Sequence, residues 1–176
     1  MNVIFIAPPA AGKGTQAKIL CEKYGLLHIS TGDLLRRAAK DDLGLQKKLA
    51  RGEFIDDSII MELLKKEIDS INSNVGLVLD GFPRNMNQAI ALEDMLQDKI
   101  VIYIEVSENL ARNRILGRLH CKECGATYNS IILENQPKIV NVCDNCHSTL
   151  IKRSDDTEFT FNNRLKFYTE YTEPLL

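Results

Sequence analysis

A short apolar run, Val3-Ile4-Phe5-Ile6, passes directly into Ala7-Pro8-Pro9-Ala10-Ala11-Gly12-Lys13-Gly14-Thr15 and then into Gln16-Ala17-Lys18-Ile19-Leu20. Strand, small-residue loop, Gly-Lys and helix, in that order, is the layout of a phosphate-cradling loop. Such a loop offers backbone N–H groups and a helix N-terminus to an anion, and its lysine adds a mobile positive charge. The usual loop has glycine at its first position, and here that position is Ala7.

Beyond the loop, strand-like and helix-like segments alternate, which argues for an α/β fold with a parallel sheet. Strands are predicted at Val3–Ile6, Leu27–Ile29, Val75–Leu79 and Ile100–Val106. Three are almost purely apolar, as strands covered on both faces should be. Helices are predicted at Lys13–Tyr24, Thr31–Lys40, Asp57–Ser70, Asn85–Leu96, Ser107–Arg118 and Asp155–Tyr171, with Ser107 an N-cap and Glu108 suited to the first turn. The 176 residues fit one domain with room for a small insert. A net charge of −2 gives no general attraction to nucleic acid. No apolar run approaches the ~20 residues that span a bilayer. Met1-Asn2-Val3 runs straight into a strand without a signal peptide's basic start, so the expectation is a cytoplasmic protein.

Two sections break the alternation. Ser30–Ser70 is long for a simple crossover and reads as a helical, mobile subdomain. His120–Lys152 carries four cysteines and short β-like pieces such as Ile131-Ile132-Leu133. Cys121-Lys122-Glu123-Cys124 and Cys143-Asp144-Asn145-Cys146 are two Cys-x-x-Cys knuckles separated by 18 residues, each followed by a turn residue, Gly125 or His147. Four thiolates at that spacing close a tetrahedral zinc site with no position left for water, hence a structural metal. The plain alternative is free buried cysteines. His147 could compete as a ligand, against which stands Cys146 beside it. Cys21, in the first helix, reads as a small core residue.

Arg36, Arg84, Arg114, Arg118, Arg153 and Arg164 lie near predicted strand ends or the margins of the insert. Phosphoryl transfer needs positive charge spread around the moving group and the leaving oxygen; any one arginine taken alone reads as a solvated surface charge. Arg84 stands apart, because it follows Asp80-Gly81-Phe82-Pro83, a turn at the end of a buried strand, where α/β sheets bind ligands. Asp80 resembles the acid that helps hold Mg²⁺ in phosphate-loop enzymes, directly or through water, or else caps a turn. Asp155 and Asp156 either orient arginines or magnesium waters, or form the N-cap and first turn of the last helix.

Taken together, Lys13-Gly14-Thr15-Gln16, Ser30-Thr31-Gly32-Asp33-Leu34-Leu35-Arg36, Asp80-Gly81-Phe82-Pro83-Arg84 with Gln88, Arg114 with Arg118, the four-cysteine insert, Arg153-Ser154-Asp155-Asp156 and Arg164-Leu165 resemble the adenylate kinase family, in order and over essentially the whole chain. The cysteines resemble its bacterial long form with a zinc-binding lid. The resemblance implies a three-layer P-loop NTPase fold: a parallel sheet flanked by helices, a small zinc-ribbon-like β lid and a helical NMP-binding insert. It implies a core of residues 1–29, 56–119 and 153–176, a flap of 30–55 and a lid of 120–152. The implied reaction is Mg·ATP + AMP giving two ADP, by a monomer whose partners are ATP, AMP and ADP, with no nucleic acid and no membrane.

By the same resemblance, Ala10, Ala11, Gly12, Lys13, Gly14 and Thr15 hold the ATP phosphates, and Arg114, Arg118, Thr127 and Tyr128 contact ATP from the lid side. Thr31, Arg36, Glu53, Phe54, Ile55, Gly81, Phe82, Pro83, Arg84, Gln88, Arg153 and Arg164 hold AMP. Lys13, Arg84, Arg118, Arg153, Asp155, Asp156 and Arg164 form the catalytic set, Asp80 reaches Mg²⁺ through water, and Cys121, Cys124, Cys143 and Cys146 hold Zn²⁺. Gln88 has an amide able to pair with adenine's edge; it and the long lid argue against UMP or CMP as acceptor.

The family usually has glycine at the positions of Ala7 and Ala10, so an alanine at each is expected to strain the loop wherever φ must be positive. Pro8-Pro9 stiffens it. Family members continue past Glu173-Pro174-Leu175-Leu176 with a last strand and helix; without them Ile100–Val106 is expected to be an exposed apolar edge. These departures favour, as the second reading, a weak or inactive kinase-like nucleotide-binding protein. A zinc-ribbon nucleic-acid module is the third, and the acidic charge balance stands against it.

Overall fold

The computed structural model describes residues 1–71 and 75–176. Its main sheet has the order β2-β3-β1-β4, with β1 at Asn2–Ile6, β2 at Leu27–Ser30, β3 at Leu77–Asp80 and β4 at Lys99–Tyr103. Every pairing is parallel. The chain leaves β1 for β2, returns to fill the place between them with β3, and then crosses to β4 on the far side. The carboxyl ends of β1, β2 and β3 therefore open onto one crevice, with Phe5 opposite Asp80 and Asp80 opposite Ser30.

Alternate residues of the central strands feed two separate cores, as a strand's period of two requires. Ile4 and Ile6 of β1, Ile29 of β2 and Leu77 and Leu79 of β3 pack against Leu34, Leu35, Leu45, Leu64 and Leu92. Those partners come from α2 (Thr31–Ala38), α3 (Leu43–Arg51), α4 (Asp57–Asp69) and α5 (Met86–Met95). Val3, Phe5 and Val78 point the other way, onto Ala17 and Leu20 of α1 (Lys13–Tyr24). Three layers result, as expected. β4 forms the edge, and Ile100 and Val101 are 50% and 53% exposed. It ends at Tyr103, short of the predicted Val106.

The long crossover resolves into α2, α3 and α4. The Asp42 side chain accepts from Leu45 N–H at 3.0 Å to start α3, and left-handed Gly52 (φ 64°) ends it. The Ser107 hydroxyl accepts from Leu110 N–H and caps α6 (Glu108–Leu116), as predicted. The last helix differs from its prediction. α7 spans Glu158–Phe167 with Thr157 as its cap, so Asp155 and Asp156 lie before the helix rather than capping it. A π turn over Tyr168–Thr172 follows, and it sets the Thr172 hydroxyl on the Arg84 carbonyl at 2.7 Å.

Residues 118–151 form a second sheet, β6-β5-β7, built from β5 (Arg118–Cys121), β6 (Thr127–Asn129) and β7 (Leu150–Ile151). Its core is small: Leu119, Cys121, Cys143 and Leu150. The predicted β-like piece at Ile131–Leu133 is absent. Asn129 Oδ1 instead accepts from Ile131 N–H at 2.8 Å and Ile132 N–H at 3.0 Å, turning the chain before a strand can form. α6 leads into this sheet and α7 leaves it, and the two helices are locked together by Ala111, Ile115 and Phe161.

The loop between β1 and α1 places its strain at one residue. Ala10 is left-handed (φ 60°), as is Gly12 (φ 98°). Ala7 lies outside that region and is buried, so the expected cost at Ala7 does not arise. The Ala10 methyl also packs at the margin of the α6–α7 cluster, which offsets part of its backbone strain. Replacing Ala10 by Gly should therefore raise stability in urea unfolding by roughly 0.5–1 kcal/mol, while Ala7→Gly should lower it.

Candidate functional site

The crevice begins at the N-terminus of α1. Gly12 is the N-cap and has no side chain to spend on the first turn, so the leading N–H groups face outward. Lys13 folds back over the loop, donating to the carbonyls of Ala7 (2.9 Å) and Pro8 (3.1 Å). Burial brings its pKa down to about 8, against the opposing pull of the Asp80 carboxylate and with added repulsion from Arg84. Asp80 ends β3 beneath the loop. A side chain at Gly14 would come within 3.1 Å of Asp80 Oδ2, so glycine lets the acid approach the helix start. The same oxygen lies 3.3 Å from His28 Nε2.

Across the crevice the dispersed arginines converge. Arg118 makes a two-point pair with fully buried Asp156, one arm at 2.7 Å. Arg164 donates to Asp155 at 2.6 Å, and Arg36 to Asp33 at 2.5 Å. Asp155 and Asp156 thus orient arginines, one of the two roles the sequence left open. Arg84 and Arg153 make no ion pair among the described residues. Burial, then the charges of Arg164 and Arg36, pull the Arg84 pKa down. Burial with Arg118 and Arg36 brings Arg153 to about 10. For Arg118 the balance reverses: burial opposes the charge, but Asp156 outweighs it and the pKa rises.

The turn after β3 is tightly specified. Gly81 is left-handed (φ 85°), and a Cβ there would lie 2.8 Å from Thr31 Oγ1 and 3.0 Å from an Arg84 guanidinium nitrogen. Thr31 Oγ1 donates to the Gly81 carbonyl at 2.9 Å, and Arg84 Nε donates to it at 2.7 Å. Phe82 and Pro83 are buried beneath, and Gln88 is 2% exposed at the start of α5. On the segment after α3, Glu53 is exposed, Ile55 is in the core, and Phe54 stacks 5.6 Å from Phe167, which in turn lies 4.7 Å from Tyr171.

Two predicted groups lie apart from this cluster. Arg114 donates to the Ala11 carbonyl at 3.0 Å, on the flank of the loop. Thr127 is exposed on β6, while the Tyr128 hydroxyl accepts from Asp144 N–H at 2.8 Å and lies 3.6 Å from Cys143 Sγ. Tyr128 therefore serves the cysteine cluster through its hydroxyl.

The sulfur atoms of Cys121, Cys124, Cys143 and Cys146 all lie within 4.8 Å of one another. Cys121–Cys146 and Cys124–Cys143 are 3.4 and 3.5 Å apart. Tetrahedral thiolates around one zinc are separated by about 3.8 Å, so this donor set fits a structural metal ion. Each knuckle turns through a left-handed residue, Gly125 (φ 70°) or His147 (φ 60°), whose N–H returns to the first cysteine's carbonyl at 3.0 or 2.9 Å. Burial raises the Cys143 pKa, but hydrogen bonds from Cys146 N–H, Tyr128 O–H and Asn145 N–H outweigh it and hold the thiol near 6. The lid touches the core where Lys18 Nζ donates to the Gly125 carbonyl at 2.7 Å.

Several residues of the site escape a motif search. His28 is a strand residue whose meaning depends on the neighbouring strand's register. Asp57 and Asn85 meet Gln88 across two helices. Only Asn85 carries a readable signal: an Asn followed three residues later by Gln is a capping-box pattern, and Gln88 N–H does donate to Asn85 Oδ1 at 2.9 Å.

The model of one protein family, described as adenylate kinase, matches residues 5–176. Among curated proteins, the adenylate kinase of Clostridium tetani (strain Massachusetts / E88) is 40% identical over 185 aligned positions, covering 100% of this chain and 85% of the relative. That of Methanosarcina acetivorans is 42% identical with the same coverage. That of Archaeoglobus fulgidus is 43% identical, covering 100% of this chain and 84% of the relative.

Proposed function

The chain belongs to the adenylate kinase family of nucleoside monophosphate kinases, which move the γ-phosphoryl group of ATP reversibly to AMP, and we propose how its own residues divide that work. The observation that carries the reading is a set of partly buried cations with no carboxylate in direct contact: Lys13, Arg84 and Arg153 make no ion pair among the described residues, and burial lowers the pKa of each despite the acids nearby. Positive charges gathered out of water without a direct partner are costly unless an anion joins them. Two polyphosphate ligands meeting end to end supply that anion.

In this assignment the loop N–H groups from Ala10 to Thr15 hold the ATP phosphates, and Lys13 leaves the Ala7 and Pro8 carbonyls to reach the transferring group. Arg114 flanks the ATP side. Thr31, Arg36, Gly81, Arg84 and Gln88 hold AMP, with the Glu53–Ile55 segment closing over it. An AMP phosphate oxygen attacks the γ-phosphorus, and the bond from that phosphorus to the β-bridging oxygen breaks, leaving ADP on both sides. The phosphate is already a competent nucleophile, so no covalent intermediate and no strong base are required. Arg118, Arg153 and Arg164 stabilise charge on the moving group, with Asp156 and Asp155 holding two of them in place. Mg²⁺ bound with ATP supplies further charge neutralisation, and Asp80 beside Gly14 is placed to hold it through water. Residues 30–55 and 120–152 act as closing flaps that exclude water, which would otherwise compete as acceptor. Cys121, Cys124, Cys143 and Cys146 would hold zinc, which would tie the lid into a rigid body. All these parts come from one chain, which supports a monomer as the working unit, and no described helix is long and apolar enough to cross a membrane.

A coupled assay of ADP formation with AMP, CMP, UMP and GMP tests the reading. AMP should be the preferred acceptor by a wide margin, and ATP binding without any turnover would replace the kinase with a nucleotide-binding protein. The loop lysine adds a pH test. If only charged Lys13 binds ATP, affinity should fall as pH rises through about 8, to roughly a tenth of its neutral value at pH 9 by isothermal titration. The sign for stability is opposite. A lysine whose folded pKa lies below 10.5 weakens the fold where it is charged, so this penalty disappears between pH 8 and 10.5. Finally, Cys121→Ser should release zinc and lower the melting temperature more than it weakens AMP binding. An unchanged melting temperature in zinc-free protein would remove the metal's structural role.

A further inference from the structure

Gln88 sits in a closed ring of hydrogen bonds that leaves its amide only one favourable orientation. Its Oε1 accepts from Arg84 N–H at 2.8 Å, and its Nε2 donates to Asp57 Oδ1 at 2.6 Å. Asn85 completes the ring. Its Oδ1 accepts from Gln88 N–H at 2.9 Å, and its Nδ2 donates to the two Asp57 oxygens at 3.1 and 3.0 Å. The polarity does not depend on how the amide atoms are assigned, because a backbone N–H can only donate and a carboxylate can only accept. Two backbone N–H groups and one carboxylate therefore dictate which end of each amide is which. Turning Gln88 over would set its carbonyl against the Asp57 carboxylate and its NH₂ against Arg84 N–H.

An amide has two donor hydrogens and two acceptor lone pairs. The ring consumes one of each, leaving one N–H and one lone pair for a two-point contact with a base. Adenine offers an acceptor at N1 and a donor at its 6-amino group. A 6-oxopurine offers the reverse, a donor at N1 and an acceptor at O6. An amide free to flip would serve both. We propose that Asp57 is a positioning residue that fixes the Gln88 amide in the adenine-reading orientation, and so makes the acceptor site reject 6-oxopurine nucleoside monophosphates. This rests on the assignment of Gln88 to the acceptor's base.

Asp57→Asn inverts one link of the ring. Asn85 still presents its NH₂, so the carbonyl of the substituted amide turns toward it and the new NH₂ turns toward Gln88. That arrangement favours the flipped Gln88, while Arg84 N–H continues to favour the original one. Two orientations then compete where one was enforced. Asp57→Glu keeps an acceptor-only group and serves as the rescue.

The experiment measures kcat/KM for AMP and for IMP with saturating Mg·ATP in the wild-type chain and both variants. The AMP-to-IMP ratio should fall about tenfold or more in D57N and stay near its wild-type value in D57E. A ratio unmoved in D57N, with both substrates impaired alike, overturns the role of Asp57 while leaving the kinase reading intact. A wild-type chain that forms no ADP from AMP overturns both. If D57N does not fold, the wild-type protein decides. With ¹⁵N-labelled glutamine, the Gln88 side-chain NH₂ should exchange its hydrogens with solvent far more slowly than an exposed glutamine does. A pair exchanging like those of a solvent-exposed glutamine overturns the lock.

Discussion

Mutual repulsion among the cations of the crevice is the constraint on which the rest of the structure depends. Arg36, Arg84, Arg118, Arg153 and Arg164 come from separate parts of the chain, and burial and mutual charge depress Arg84 and Arg153. Such a cluster does not hold itself together. It is held by the sheet, whose two faces each bury alternate residues of β1 and β3, and by carboxylates placed on some arginines and withheld from others. Asp156 on Arg118 and Asp155 on Arg164 fix the direction of two guanidiniums. Had every cation been paired in this way, the crevice would carry no net attraction for phosphate. On the proposed assignment, the uneven distribution of acids is what turns a set of arginines into a receptor.

Much of this was legible in the chain before folding, for identifiable reasons. The apolar runs of β1 and β3 announce strands covered on both faces, and the Gly12-Lys13 step announces a helix start aimed at an anion. The cysteine knuckles announce their own geometry, because the spacing of two residues is the turn itself. Asp155 and Asp156 were ambiguous because an acid before a helix has the same local pattern whether it caps the helix or pairs with a distant arginine. Thr157 took the capping role, and the acids were left to Arg164 and Arg118. Ile131–Leu133 failed as a strand for a related reason: the deciding bond comes from Asn129, whose side chain competes with any ladder. Asp57, His28 and Lys18 act across elements, and nothing in their neighbours marks them.

The lid shows the same economy under a different limit. Four buried residues make its core, too few for a sheet of this size to be rigid by packing alone. The four cysteine sulfurs, all within 4.8 Å of one another, form a donor set that fits a metal ion, which would substitute for that missing core. The Tyr128 hydroxyl adds to the cluster, lying 3.6 Å from Cys143 Sγ and accepting from Asp144 N–H at 2.8 Å. The knuckle turn at Gly125 offers its carbonyl to Lys18 Nζ, and Asn129 Nδ2 donates to the Arg114 carbonyl at 2.9 Å, so the unit meets the core at two separate points.

Charge and polarity divide recognition between them. Guanidinium groups attract any nucleotide's phosphate equally well, so the arginine cluster cannot choose among bases. Choice must come from groups that meet the base, and on the proposed reading that group is a neutral amide, which is fixed only by partners that cannot reverse their own polarity. Backbone N–H groups and carboxylates are such partners; hydroxyls and other amides are not. Around Gln88 the chain uses two backbone N–H groups and one carboxylate, with Asn85 placed between them where its own orientation is already dictated. A discriminating site therefore requires buried neutral groups tied back to the main chain, and α5 begins beside Arg84 so that one turn of backbone can supply both ties.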